Sequence, residues 1–167
     1  MYNYNSYNSC NIIDKNKKED IEEEKCKLCE ASKNFKEGVF DIREGIKDIE
    51  EGIKNIQHCQ ICEGIKDIKE GLKDINEGLK DILEGFKNLN CELDHDKAHE
   101  KCEGLRDITE GINDIKEGIK DINEGLKDIE CKCKICEGIK DIKEGIEGIN
   151  EGLKDIIEGL KDLFLIV

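Results

Sequence analysis

A seven-residue unit, E-G-I-K-D-I-x, repeats through most of the 167-residue chain and constrains its fold more than any other feature. Fifteen full copies and one decayed copy form four blocks of four, at residues 30–57, 63–90, 103–130 and 137–164. Apolar residues occupy the third and sixth positions of every full copy, which are positions a and d of a heptad abcdefg. Spacings that alternate between three and four residues indicate helices with a continuous apolar stripe, and the absence of proline agrees with long helices.

Glycine occupies the g position of all fifteen full copies, beside the apolar stripe. Each such glycine costs about 0.8–1 kcal/mol relative to alanine inside a helix, so the whole set costs more than about 10 kcal/mol. We expect close approach of a neighbouring helix to compensate, because a helix that lacks Cβ atoms at g admits another backbone. The alternative is that duplication of one unit copied an accidental glycine.

The connectors between the blocks have 5, 12 and 6 residues, and short connectors make successive helices reverse direction. The sequence therefore predicts an all-α fold, an antiparallel up-down four-helix bundle within residues 26–167, with an extended intermolecular coiled coil as the alternative. Residues 1–25 are predicted to form a disordered arm rich in Asn, Tyr and Ser, followed by a charged lead-in.

The charge balance excludes several classes of partner. There are 41 acidic and 27 basic residues, for a net charge of −14, whereas nucleic acids and anionic membranes attract clustered Lys and Arg. No apolar run approaches the length of a membrane span, and the first residues lack the pattern of a signal peptide. No enzyme is expected, because the repeated Glu lies at the outward f position, no His lies within a block, and the glycines recur too far apart to cradle a phosphate.

All ten cysteines lie outside the blocks, and nine of them flank the predicted helix ends. Each block is preceded by two sulfur or imidazole side chains three residues apart: Cys26 and Cys29, Cys59 and Cys62, His99 and Cys102, and Cys133 and Cys136. An antiparallel bundle would gather the connectors at two poles. The first pole would hold His58, Cys59, Cys62, Cys131, Cys133 and Cys136, and the second Cys26, Cys29, Cys91, His95, His99 and Cys102.

Three interpretations of these cysteines remain open from the residues alone. The first is a pair of tetrahedral zinc sites, with zinc as the only candidate cofactor. One site would use Cys59, Cys62, Cys133 and Cys136, and the other Cys26, Cys29 and Cys102 with Cys91 or His99. The second interpretation is disulfide cross-linking within or between molecules, for which all ten cysteines are candidates and Cys10 and Cys131 are spare thiols. The third is that the cysteines are small buried residues at helix caps.

The chain resembles the cysteine-rich spore coat and exosporium proteins of clostridia. The resemblance rests on a low-complexity acidic sequence biased to Ile, Lys, Glu, Asp and Asn, an Asn/Tyr-rich first segment, the lack of a signal peptide and the placement of the cysteines. It implies synthesis in the cytoplasm of the mother cell, deposition on the spore surface and oxidation there into an insoluble layer. The implied partners are further copies of the chain and other cysteine-rich spore proteins. We therefore expect a structural, self-assembling building block, with a thiolate zinc protein as the alternative.

Overall fold

The computed structural model describes the backbone of residues 7–89, 98–131 and 134–164, and the side chains of residues 29–88, 103–131 and 134–163. These residues form four helices: α1 (Tyr7–Gln57), α2 (Ile61–Leu89), α3 (Ala98–Glu130) and α4 (Ile135–Phe164). No strand occurs in the described backbone, which confirms the prediction of an all-helical protein. None of the helices in these ranges is long and apolar enough to cross a membrane.

Helix α1 is much longer than the repeat that it contains. It runs without a break from Tyr7 to Gln57, whereas residues 1–25 were expected to be a disordered arm and a lead-in. The continuous helix has a simple local cause: no Gly or Pro precedes Gly38, and residues 15–30 are dominated by Lys and Glu, which have high helix propensity. Residues 1–6 of the predicted arm lie outside the described backbone.

The helices pack as two close pairs, α1 with α2 and α3 with α4. Within each pair the g-position glycines face one another, and residue numbers rise along one helix as they fall along the other. The facing pairs are Gly38 and Gly78, Gly45 and Gly71, Gly52 and Gly64, Gly104 and Gly159, Gly111 and Gly152, Gly118 and Gly145, and Gly125 and Gly138. Each pair of helices is therefore an antiparallel hairpin, with one glycine pair for every heptad except the one in which Gly85 faces Ala31.

The glycines leave no room for a side chain. A Cβ atom on Gly52 would lie 2.6 Å from the carbonyl oxygen of Gly64 and 2.7 Å from Cγ1 of Ile68, distances that no real Cβ adopts. The glycine hydrogen in that direction instead points at the partner carbonyl, the arrangement of a Cα–H···O contact worth about 0.5–1 kcal/mol. Close approach between neighbouring helices, which the sequence analysis expected, thus provides the compensation for glycine in the helix interior.

The two apolar positions of the heptad have different surroundings. Isoleucines at d pack against the glycines of the partner helix, and nearly all of them are completely buried, as Ile49 and Ile115 are. Residues at a are buried slightly less, with Ile46 and Leu79 each 7% exposed. Buried residues from all four helices nevertheless belong to one apolar cluster. Position d therefore holds each hairpin together, and position a contributes the remainder of the shared core.

A matched pair of glycines in the second hairpin tests the importance of close approach. A Cβ on Gly118 would meet the Gly145 carbonyl and lie 2.7 Å from Cγ1 of Ile149, whereas a Cβ on Gly148 would have no neighbour nearer than 3.8 Å. We expect G148A to stabilise the protein by about 0.8–1 kcal/mol through helix propensity. We expect G118A to destabilise it by about 1–3 kcal/mol, because the helices must separate. Urea denaturation followed by circular dichroism measures both, and equal stability of the two variants would contradict the packing described.

Candidate functional site

The connector between α1 and α2 is a tight helix C-terminus with a cysteine where glycine is usual. The backbone N–H of Gln60 donates to the carbonyl of Asn55 at 2.8 Å, and that of Cys59 donates to the carbonyl of Ile56 at 3.0 Å. These two bonds form a Schellman motif, whose penultimate residue adopts the left-handed conformation. That residue is Cys59, with φ of 66°, and it is the only residue other than glycine with positive φ in the described backbone.

A cysteine in this conformation costs about 1–2 kcal/mol because its Cβ crowds the following carbonyl oxygen. Nothing in the packing compensates for the cost, since the Cys59 side chain is exposed. The chain uses glycine at sixteen other positions, yet it has none in this connector. Cys59 therefore places an exposed thiol at a position where the backbone conformation alone would favour glycine.

His58 precedes this cysteine and is held by the end of α1. Its Nδ1 atom lies 2.7 Å from the carbonyl oxygen of Lys54. Because a carbonyl oxygen only accepts hydrogen bonds, the ring donates from Nδ1, and the neutral imidazole then presents Nε2 as an acceptor. The side chain is exposed, so Nε2 is available to a ligand or a proton donor from outside.

Helices α2 and α4 begin in the same way. The Gly64 N–H donates to the carbonyl of Gln60, and the Gly138 N–H to the carbonyl of Lys134, each at 2.9 Å, so Gln60 and Lys134 are the N-caps. Each cap side chain also reaches the glutamate three residues later, at 3.2 Å in both helices. Cys62 and Cys136 consequently occupy equivalent places, two residues after the cap, and both are exposed.

An ion pair of 2.7 Å joins Lys69, about two turns into α2, to Glu130, the last residue of α3. The end of α3 therefore lies beside the first turns of α2. We call the two hairpin connectors, together with the helix ends that flank them, the turn end. Its described side chains include His58, Cys59, Cys62, Cys131 and Cys136.

The five cysteines with described side chains are all free and all exposed: Cys29, Cys59, Cys62, Cys131 and Cys136. No disulfide forms among them, and none packs in the apolar cluster. Their exposure excludes the interpretation of these five as small buried cap residues. The other predicted site residues have side chains outside the described part of the chain: Cys10, Cys26, Cys91, His95, His99, Cys102 and Cys133.

The described side chains do not assemble a metal site. No group of three or more His, Cys, Asp or Glu residues among them lies close enough together to hold an ion. Cys59, Cys62 and Cys136 of the first predicted zinc site share the turn end without forming such a group, and the fourth predicted ligand, Cys133, lies outside the described residues. For the second predicted site, only the Cys29 side chain is described. Both zinc sites thus remain predictions.

Comparisons with known proteins add no relative: no family, no curated protein and no solved structure matches the chain significantly.

Sequence reasoning missed two features of this end, the left-handed backbone of Cys59 and the hydrogen bond that orients His58. A signal for the first existed, because a connector of five residues between two long helices ordinarily contains a glycine, and this one contains none. No sequence signal indicates the second, since the bond from His58 to Lys54 depends on where α1 ends.

Replacing each cysteine of the first connector with glycine separates backbone strain from helix propensity. We expect C59G to stabilise the reduced protein by about 1 kcal/mol, because glycine adopts positive φ without strain. The matched variant C62G places glycine inside α2 and should destabilise by up to about 1 kcal/mol. Urea denaturation under reducing conditions measures both, and a stability loss in C59G would contradict the geometry of the connector.

Proposed function

We propose that this protein is a structural, self-assembling building block whose exposed cysteines link it covalently to other chains. The observation that carries the proposal is that all five described cysteines are free, exposed and placed outside the apolar core. Free cysteine is ordinarily among the most buried residue types and packs as a small apolar side chain. Thiols that the fold leaves in solvent, four of them at helix ends and Cys29 within α1, are available to a second molecule.

The block itself is, we infer, an antiparallel up-down-up-down four-helix bundle. The one apolar cluster shared by all four helices supports this arrangement, as does the ion pair between Lys69 of α2 and Glu130 of α3. On the opposite side, Arg43 of α1 lines a surface groove together with Leu153 and Lys154 of α4. Blocks of 28 residues would make such a bundle about 42 Å long, with thiols at its ends.

The charge on the sides of the bundle favours covalent cross-linking through its ends. Positions b and f carry exposed Lys and Glu, which form ion pairs along single helices, such as Lys140 with Glu144 at 2.9 Å. Exposed pairs of this kind contribute little stability, and the net charge of −14 opposes close contact between the sides of two molecules. Among the described side chains, the turn end instead presents four exposed thiols, at which a covalent bond to a second molecule can form.

The resemblance to cysteine-rich spore coat and exosporium proteins suggests where this assembly occurs. We propose a place in the spore surface layer, after synthesis in the cytoplasm, with copies of the chain and other cysteine-rich spore proteins as partners. Cross-linking requires an electron acceptor, and a small disulfide would suffice. Two protein thiols and one small disulfide exchange to give one protein disulfide and two small thiols, with no net change in atoms or electrons.

Cross-linking can be tested by oxidising the purified protein with glutathione disulfide and separating the products on a non-reducing gel. We expect a ladder of oligomers that collapses to monomer on reduction. A variant with Ser at Cys59, Cys62, Cys131 and Cys136 should lose most of the higher oligomers. The variant C29S, a single replacement away from the turn end, should retain them. Counting free thiols in the fresh protein with a colorimetric reagent checks the starting state.

Two outcomes would overturn the proposal. If all thiols disappear while the protein stays monomeric, the cysteines pair within one chain. If the fresh protein contains two equivalents of zinc and its thiols do not react, the chain is the thiolate metal protein that the cysteine spacing also allows.

A further inference from the structure

The glycine register places aspartates of α1 opposite aspartates of α2. Each c position lies three residues after a glycine, so the facing of Gly45 with Gly71 brings Asp48 opposite Asp74. By the same register Asp41 stands opposite Asp81. The next heptad shows that side chains at this position reach each other, because the Asn55 amide donates a hydrogen bond of 2.8 Å to the Asp67 carboxylate. We call this row of c positions along the outside of the first hairpin the aspartate seam.

The carboxylates of the aspartate seam have few basic side chains to neutralise their charge. All of its residues are half-buried, since the close helices leave the carboxylates between two backbones. None of Asp41, Asp48, Asp74 and Asp81 forms an ion pair within the described part of the chain. In the second hairpin the equivalent residues are partly compensated: Asp107 lies 3.7 Å from Arg106, and Asp128 lies 3.8 Å from Lys134. Asp114 and Asp155 of the second hairpin, which stand opposite each other by the facing of Gly111 with Gly152, form no ion pair within the described residues either.

Burial and neighbouring negative charges both raise the pKa of three aspartates in the seam. Burial is the largest cause that raises the pKa of Asp48 above its ordinary value of 3.8, followed by the charges of Asp74 and Glu70 on α2 and of Glu44 and Glu51 on its own helix. Burial also leads for Asp41, whose pKa is raised further by Asp81, Asp74 and Glu77 on α2 and by Glu37 on α1.

Asp81 completes the set. Its pKa is raised by burial and by the charges of Glu37, Glu84 and Glu77, while Lys80 lowers it. None of the groups named for these three aspartates lies on α3 or α4.

We propose that the aspartate seam is a pH-sensitive device, which strengthens the α1/α2 hairpin when it binds protons and weakens it when it loses them. A protonated carboxyl facing a carboxylate can donate a hydrogen bond across the seam. The Asn55–Asp67 pair is the permanent form of that contact, because its amide donates where a carboxylic acid would.

The direction follows from proton linkage. A group whose pKa in the folded protein is raised above its unfolded value binds protons more readily in the folded state. Its stabilising contribution is complete below the ordinary value of 3.8 and is lost as the pH rises through the raised folded value. Mild acid therefore stabilises this hairpin, whereas acid destabilises proteins whose carboxylates form salt bridges. This inference concerns the fold and does not depend on the proposed function.

Two variants of α2 separate the effect of the facing aspartates on stability from the effect of the overall net charge. D74N removes the partner of Asp48, whereas D67N removes a carboxylate that already faces Asn55, and both reduce the net negative charge by one. At pH 7 we expect the Tm of D74N to exceed that of D67N by roughly 2–4 °C. Between pH 7 and pH 4 the wild-type Tm should rise and the gap between the variants should close. Circular dichroism at micromolar concentration keeps the protein soluble near its isoelectric point of about 4.7.

Equal Tm values for D74N and D67N at pH 7, or a gap that persists at pH 4, would overturn the proposal. If either variant does not fold, the proposal can be tested on the wild-type protein. NMR then follows the carboxyl carbon resonances of its aspartates as the pH is changed. Titration midpoints of Asp41, Asp48 and Asp81 above 3.8 would support the seam, and midpoints at or below that value would refute it.

Discussion

The contact between glycine and a facing backbone carbonyl is the interaction on which the rest of this structure depends. It recurs once per heptad along both hairpins and brings the helix backbones nearer than any side chain at g would permit. Each contact is weak, worth about 0.5–1 kcal/mol, but it occurs where glycine otherwise costs a similar amount. The repeat therefore loses helix propensity at position g and gains close packing against the facing helix in return.

This contact also explains the difference between the two apolar positions of the repeat. Thirteen of the fifteen d residues are Ile, and the two exceptions, Leu89 and Leu163, lie at helix ends. The Cγ1 atom of the d isoleucine packs against the facing glycine, so a β-branched side chain with one preferred rotamer suits the site. Position a, which is slightly more exposed, instead accepts Ile, Leu, Val and Phe. Because the two helices are closest at positions g and d, position c lies at the outer edge of this contact. The aspartates of the two helices meet there.

Periodicity made the helices and their glycine contacts predictable, but it carried no information on which helices pair. Any block of E-G-I-K-D-I-x can face any other, and only the described packing assigns α1 to α2 and α3 to α4. The aspartate seam was unpredictable for the same reason, because the opposition of Asp48 and Asp74 exists only once a pairing and a register are chosen. The positions of Cys59, Cys62, Cys131 and Cys136 at helix ends followed from the sequence, whereas Cys29 lies within α1. The strained backbone of Cys59 depended on the details of one turn. Helix α1 extends back to Tyr7, in a stretch that contains neither Gly nor Pro before Gly38.

A repeat this regular raises the question of what prevents the helices from sliding past each other by a whole heptad, since a slip of seven residues would restore nearly every glycine contact. The answer lies in the few residues that break the pattern. Ala31 stands at a g position and Phe35 at the following d position, and both are buried against Gly85 at the far end of the first hairpin.

A slip of one heptad would place Ala31 and Phe35 against a different part of α2 and would separate Asn55 from Asp67. The connector of three residues, closed by the Schellman motif at Cys59, would also have to be rebuilt. The register of the hairpin is therefore specified at its two ends and at one polar pair, while the identical heptads between them supply stability without specificity. The departures from the repeat, rather than the repeat itself, select one structure from a series of nearly equivalent ones.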